Sequence, residues 1–426
     1  MKKTALLISM ALLCNLLKGQ VPDSLSLFYC LRTAEEKSPL TGQKLLSGKA
    51  LEYKMKNLSS NWFPAIDFNG QANYASETVH FSDYLKDLPI QVSIPSLPLD
   101  QYKIWADLNQ KIFDGGIIRA QKSIERASYE ADLQQVETAL LGVKQQVNQS
   151  FFALLIARKS NEILQVSLDE LRERKKVVRA GIENGAVLPE NMLSMDAEEL
   201  RIQQMILELN ITQQQLLNVL SILMDTTISG HAVFIQPDEP ISPDQQILRP
   251  EYLLFEKQKE MLQASKSLVT AADMPKLFAF SQGAYGRPGY NFLSRDFHAF
   301  YSVGVGMKWD FLNYGDSRRK KKLFDIQQDM IEIRRETFDD QLDIQLQAEK
   351  TNQAKYTELL MQDEKILKLR KAIAAASFSK LTHGIITSTD YLAELNRAIL
   401  AGLQYENHKI LKLQAAYNYL LLQGKL

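Results

Sequence analysis

The chain has 426 residues, room for two or three ordinary domains. Its 50 basic side chains balance its 50 acidic ones, so no net charge draws it to nucleic acid or to an anionic membrane surface. No paired carboxylates and no nucleophile with an adjacent base stand in a recognisable context, so the sequence predicts no enzyme.

Residues 1–19 read as a signal peptide. Lys2 and Lys3 precede the apolar run "TALLISMALLCNLL", and "KGQ" follows, with cleavage expected near Gly19. The run falls short of the roughly 20 residues that span a bilayer. No later stretch is long and apolar enough for a transmembrane helix. A mature chain that enters a membrane must therefore do so as strands. Leu13 stands before Cys14, where a lipidated cysteine has a small residue, which argues against lipidation. Cys30 is then the one cysteine of the mature chain and reads as a small buried apolar side chain.

The predicted elements follow in order. An N-terminal segment (20–60) leads to a first strand pair (61–115) with a long loop at 75–101. A first helical hairpin (116–225) turns at a tip, 183–191. A linker with a short helix (226–273) leads to a second strand pair (274–315) and a second hairpin (316–426) with its tip at 382–390. The plan is a tandem repeat. Pro39 to Pro64 and Pro250 to Pro275 are both 25 residues apart, and Gly116 to Gly185 and Gly315 to Gly384 are both 69 apart.

In "AIDFNGQANY", Ile66, Phe68, Ala72 and Tyr74 alternate with Asp67, Asn69, Gln71 and Asn73. In "FYSVGVGMKWDF" (300–311), Val303, Val305, Met307, Trp309 and Phe311 oppose Ser302, Gly304, Gly306, Lys308 and Asp310. Period-two alternation gives one wet and one dry face. A membrane barrel and a soluble antiparallel sheet both show it. Trp62, Trp105 and Trp309 all lie in these regions, where a membrane barrel gathers aromatics at its interfaces.

The helical stretches are long: Ile117 to Asn184 contains no proline, roughly 100 Å of helix. Ile202, Met205, Leu209, Leu216, Leu220 and Leu223 fit a heptad seam, as do Ile399, Leu403, Ile410, Leu413, Tyr417 and Leu420. Each hairpin breaks once. Gly185 and Gly384 suit the left-handed end of a helix. Pro189 is tolerated in the next first turn, and Thr387 with Asp390 has the spacing of a capping box.

Four strands cannot close a membrane barrel, which needs about eight, so several chains would have to share one. With its export signal, its duplicated strand-pair-plus-hairpin plan, and the tips "NGAVLPENML" and "HGIITSTDYL", the chain resembles the TolC-like outer-membrane efflux protein family. The resemblance implies an α+β membrane protein. In it, a homotrimer pools four strands per chain into a 12-stranded barrel in outer-membrane lipid, continued by an α-helical tunnel in the periplasm. It implies a passive channel of a tripartite efflux system, exporting small molecules such as drugs. The partners would be a periplasmic adaptor (a membrane fusion protein) and an inner-membrane pump of RND or ABC type. Gly185, Ala186, Val187, Leu188, Gly384, Ile385 and Ile386 would be the adaptor-docking tips.

By the resemblance, Asp390 would sit at the gate constriction, where members of the family often place an aspartate, and Asn191 stands at that place in the first copy, a departure from the pattern. Asp390 reads equally well as a gate carboxylate or as a helix cap, and Ala393 stands where relatives carry a second Asp. A type I secretion duct for a polypeptide, and a non-conducting periplasm-spanning structural protein or adhesin, remain alternatives. No cofactor is expected, and His80, His231, His298, His383 and His408 show no metal-ligand spacing. His383 borders the tip glycine, where it would give the gate a pH response or be a surface histidine without a role. The run "RRKKK" (318–322) reads first as a solvated helix face and otherwise as a run that would set an anionic preference inside the tunnel.

Overall fold

A computed structural model describes residues 24–79, 97–185, 187–240, 246–292, 294–312 and 315–426. The signal peptide, Cys14, His80, most of the long loop and Ala186 lie outside these. The elements are β1 (Ser24–Leu25), α1 (Leu27–Lys37), α2 (Pro39–Ser60), β2 (Ala65–Tyr74), β3 (Asp100–Phe113), α3 (Ile117–Glu183), α4 (Glu190–Leu223), β4 (Val233–Phe234), α5 (Pro250–Ala272), β5 (Lys276–Arg287), β6 (His298–Lys308), α6 (Asp316–Thr382) and α7 (Ser388–Leu422). The duplication is metrical: α3 and α6 each run 67 residues, α2 and α5 run 22 and 23, and α4 and α7 run 34 and 35.

The chain divides into two units. One comprises the residues up to Lys44 with Gln134–Tyr252 and Glu336–Leu426, and the other Leu45–Leu133 with Leu253–Arg335.

The first unit is helical. Its two-stranded parallel pair, Ser24–Leu25 with Val233–Phe234, ties the N-terminal segment to the linker. Sequence reading missed this pair because two residues leave no periodic mark. Around it lies a core of Leu25, Cys30, Leu31, Phe151, Phe152, Leu220, Phe234 and Tyr417. Burial pushes the Cys30 thiol up to about 12, so it stays a protonated, inert packing group. Both heptad seams face inward: Ile202, Leu220, Ile399, Ile410, Leu413, Tyr417 and Leu420 are buried. Met205, Leu209, Leu216, Leu223 and Leu403 pack partly buried against the same cores.

The second unit carries a four-stranded antiparallel sheet in the order β2-β3-β5-β6. Phe68 pairs with Ala106, Ala106 with Gly283, and Gly283 with Tyr301. Directly opposed residues share a face, so one face gathers Ile66, Phe68, Ile104, Leu108, Tyr285, Tyr301, Val303, Val305 and Met307. The other gathers Asp67, Asn69, Gln71, Lys103, Trp105, Asp107, Gln282 and Ser302. The apolar face is bare: Phe68 is 84% exposed, Tyr301 78%, Val303 73% and Val305 71%.

The sheet moves two of the expected interface tryptophans. Trp309 lies just past β6, because β5 begins at Lys276 opposite Lys308 and Pro275 before it has no amide hydrogen to extend the ladder. The Trp309 indole donates instead to the Asp273 carbonyl at 3.1 Å. Trp105 stands on the polar face, where its indole donates to Asp107 Oδ2 at 2.8 Å. Trp62 sits in the turn before β2, its carbonyl accepting from Gln110 Nε2 at 2.9 Å.

Candidate functional site: the paired hairpin tips

Both tips lie in the first unit. At the first, α3 ends at Glu183 and Gly185 takes φ +72°, with its amide donating to the Ile182 carbonyl at 3.0 Å. The chain then folds back so tightly that the Val187 amide donates to the Gly181 carbonyl at 3.3 Å. A Cβ on Gly181 would come within 2.9 Å of the Val187 side chain, which accounts for a glycine inside the last turn. Pro189 immediately precedes α4, in helical conformation.

At the second tip, Gly384 takes φ +71°, and its amide donates to the Leu381 carbonyl at 3.0 Å. Thr387 and Asp390 form a full capping box. The Asp390 amide donates to Thr387 Oγ1 at 3.2 Å, and Asp390 Oδ2 accepts from the Thr387 amide at 3.1 Å and from its hydroxyl at 2.7 Å. These bonds, the hydroxyl's first, hold the exposed carboxyl below its ordinary value. His383 Nδ1 donates to the Ser379 carbonyl at 2.6 Å.

Asn191 joins the two tips. Its Oδ1 accepts from the buried Ser388 amide at 2.7 Å, while its Nδ2 donates to the Leu188 carbonyl at 3.1 Å. A side chain of the first tip thereby satisfies an orphan amide at the start of α7. Beneath, Val187, Met195, Ile202, Leu381, Tyr391, Leu392 and Leu395 form one apolar core. The Arg174 guanidinium lies 4.5 Å from the Phe378 ring centre and 5.4 Å from that of Tyr391, bracing α3 against the second hairpin. Arg201 of α4 grips Glu198 and reaches Asn396 of α7.

Within the first hairpin, Glu199 accepts from Lys175 at 2.6 Å and from Arg172 at 2.8 Å, and these two cations, Lys175 first, hold its carboxyl pKa below the ordinary value. Sequence reading missed Arg174, Arg201 and Glu199. Charged residues on a helix surface look alike until the facing helix is known.

The expected docking residues divide. Leu188 and Ile385 stand 62% and 70% exposed, and Gly185 and Gly384 are exposed beside them. Val187 is buried and Ile386 packs partly buried against the core, so their side chains look inward. Of the two constriction candidates, Asp390 is exposed and Asn191 buried. Among the described residues no group of His, Cys, Asp or Glu could hold a metal ion. Among them, too, no helix is long and apolar enough to cross a membrane.

Residues 31–224 match the family model described as "Outer membrane efflux protein". No curated protein matches the sequence. Three solved structures share the fold over nearly the whole chain. The CmeC outer membrane channel of Campylobacter jejuni is 14% identical with a TM-score of 0.64, over 94% of this chain and 85% of its own. The outer membrane protein VceC of Vibrio cholerae is 11% identical at 0.67, over 93% and 96%. The MtrE outer membrane channel of Neisseria gonorrhoeae, in its open state, is 14% identical at 0.68, over 94% and 89%.

Proposed function

We propose that the chain is a member of the TolC-like outer-membrane efflux protein family, whose model matches residues 31–224 and whose channels share its fold, and that it is the passive outer-membrane duct of a tripartite efflux system, exporting small molecules. The observation that carries this reading is the sheet. Its strands of 10, 14, 12 and 11 residues suit a bilayer, which about 9–11 tilted residues cross. One face is polar and the other is an uncovered run of Phe, Tyr, Val and Ile, far beyond what a soluble surface leaves bare. Among the described residues no further strand lies beside its outer strands β2 and β6, and lipid does not tolerate open edges. Three copies joined β6 to β2 would close a 12-stranded barrel, with the apolar face against lipid and the polar face lining a wet bore.

The helical hairpins would continue that bore through the periplasm, and the tips would gate it. The tip residues presented outward, Gly185, Leu188, Gly384 and Ile385, would receive the adaptor that links the duct to an inner-membrane RND or ABC pump. Asp390, exposed at the start of α7, would contribute three carboxylates to the constriction. The protein would do no covalent chemistry. Its work would be to switch the tips between two packings.

The experiment is a photoreactive amino acid at Leu188 or Ile385 in living cells, with the captured partner identified by mass spectrometry. Capture of a periplasmic adaptor is the expected result. Capture of neighbouring copies alone would remove the docking role. Bilayer recording of the purified protein tests the duct itself: stepwise conductance is expected, and its absence would leave a structural protein.

A further inference from the structure

A second site lies in the sheet unit, where β2 begins and β6 ends. The register sets Lys276 of β5 directly opposite Lys308 of β6, and Lys111 of β3 opposite Phe278, two residues further along β5. Parity puts all three lysines on the polar face. Like charges directly opposed across an antiparallel pair are destabilising, so a structural role would call for carboxylates between them. The carboxylates at hand do little of this. Asp310 approaches Lys308 Nζ only to 4.0 Å, with both side chains more than two-thirds exposed. Asp114 spends both oxygens on the start of α3, accepting from the Gly116 amide at 2.8 Å and from the Ile118 amide at 2.7 Å.

The three lysines line a cavity of about 640 Å³, together with Phe63, Phe113 and Phe278. That volume falls within the range of small-ligand pockets, roughly 300–1,000 Å³. One aromatic wall is fixed by the backbone. A Cβ on Gly306 would lie 2.5 Å from Phe278 Cζ, so the glycine leaves the ring room to lie across β6. The "GVG" of β6 thus has a steric purpose, since Gly304 stands in the same relation to Phe280.

We infer that this cavity binds an amphiphilic organic anion, an apolar or aromatic body bearing a sulfonate, carboxylate or phosphate. The phenylalanines would cover the body, and the lysines would neutralise the head. The inference goes beyond the duct reading and does not rest on it, because the cavity is complete within one chain. If the polar face does line a bore, the site biases what passes toward anions.

The test is calorimetric titration of the full-length protein, in nanodiscs of phosphatidylcholine, with naphthalene-1-sulfonate. Naphthalen-1-ylmethylammonium, with the same rings and opposite charge, is the comparison. One saturable site per chain is expected, favouring the sulfonate at least tenfold. Lys111→Gln with Lys276→Gln and Lys308→Gln should weaken it at least tenfold. Lys320→Gln with Lys321→Gln and Lys322→Gln on α6 should not. Equal binding of the two ligands, no binding, or unchanged affinity in the first variant overturns the site. Should that variant misfold by circular dichroism, the exposed Lys308→Gln alone decides: a loss of about threefold is expected, and none overturns the site. Phosphatidylglycerol in the nanodiscs separates the sources of the anion. Competition with the sulfonate assigns the site to a lipid headgroup, and its absence assigns it to soluble anions.

Discussion

The two tips descend from one plan, yet they hold their turns differently. The second tip carries its own capping box: Thr387 and Asp390 satisfy each other's amides within one turn of α7. The first has Pro189 at the corresponding place, with no side-chain cap of its own. Its polar residue, Asn191, instead reaches across to the Ser388 amide. Aspartate in one copy and asparagine in the other is thus a division of labour. A charged acceptor serves where water surrounds it, and a neutral one where it is buried. A buried second carboxylate would carry a desolvation cost that the amide avoids. The second tip is therefore the one whose packing depends on the first.

The largest break in this arrangement is expected from Tyr391→Ala. Tyr391 is fully buried beneath both tips, and its ring packs tilted against Phe378 with centroids 5.3 Å apart. Truncating an aromatic in such a place costs about 3–5 kcal/mol. Limited proteolysis should then cut α7 near its start while the sheet unit stays resistant. Equal loosening of both units would show that the tips are not locally cooperative.

Asn191→Ala comes next. It strands the buried Ser388 amide, a loss of about 1–3 kcal/mol, and it removes both the bond between the hairpins and the Nδ2 bond to the Leu188 carbonyl within the first. Channel recording should show more frequent opening. Asn191→Asp keeps the acceptor and should fall between the variant and the parent. An Asn191→Ala protein with unaltered gating would mean that the bridge is incidental.

Gly185→Ala and Gly384→Ala probe what the tips share. Their φ values differ by only a degree, +72° and +71°. A left-handed conformation costs a residue with a Cβ roughly 1–2 kcal/mol. The two variants should lose equal stability in denaturant unfolding. A larger loss at Gly384 would show that the linked tip amplifies strain.

Much of this was legible in the sequence because it is periodic or punctuated. Equal proline and glycine intervals gave the duplication, and the equal 67-residue helices follow from them. The capping box was visible because its two residues are three apart. The Asn191 bridge spans 197 residues, and nothing local in the chain marks it, so Asn191 read only as a departure from the family's aspartate. Trp105 was grouped by residue type with the other tryptophans, although its parity with Lys103 already put it on the polar face. The inward turn of Val187 and Ile386 follows from packing against the other hairpin, and "apolar residue at a tip" does not distinguish it from exposure. The lysines gathered on the polar face needed the β5–β6 register, which fixes neighbours that no single strand reveals.

The smallest effect is a difference in pH response between the tips. The Asp390 carboxyl is held below its ordinary value by the Thr387 hydroxyl and amide. A carboxyl depressed in the folded state contributes stability that is fully present above the unfolded value of about 3.9. That contribution is lost as pH falls from there through the lowered folded value. Asn191, at the corresponding place in the first tip, does not titrate. Hydrogen–deuterium exchange over residues 380–395, corrected for intrinsic rates, should therefore accelerate as pH falls below about 3.9, relative to residues 180–195. In Asp390→Asn the two segments should respond alike, because the amide oxygen still accepts from Thr387 but carries no proton equilibrium. A pH-dependent second tip that survives in Asp390→Asn would move the response to another group, and His383, whose Nδ1 already donates to Ser379, would be the next to replace.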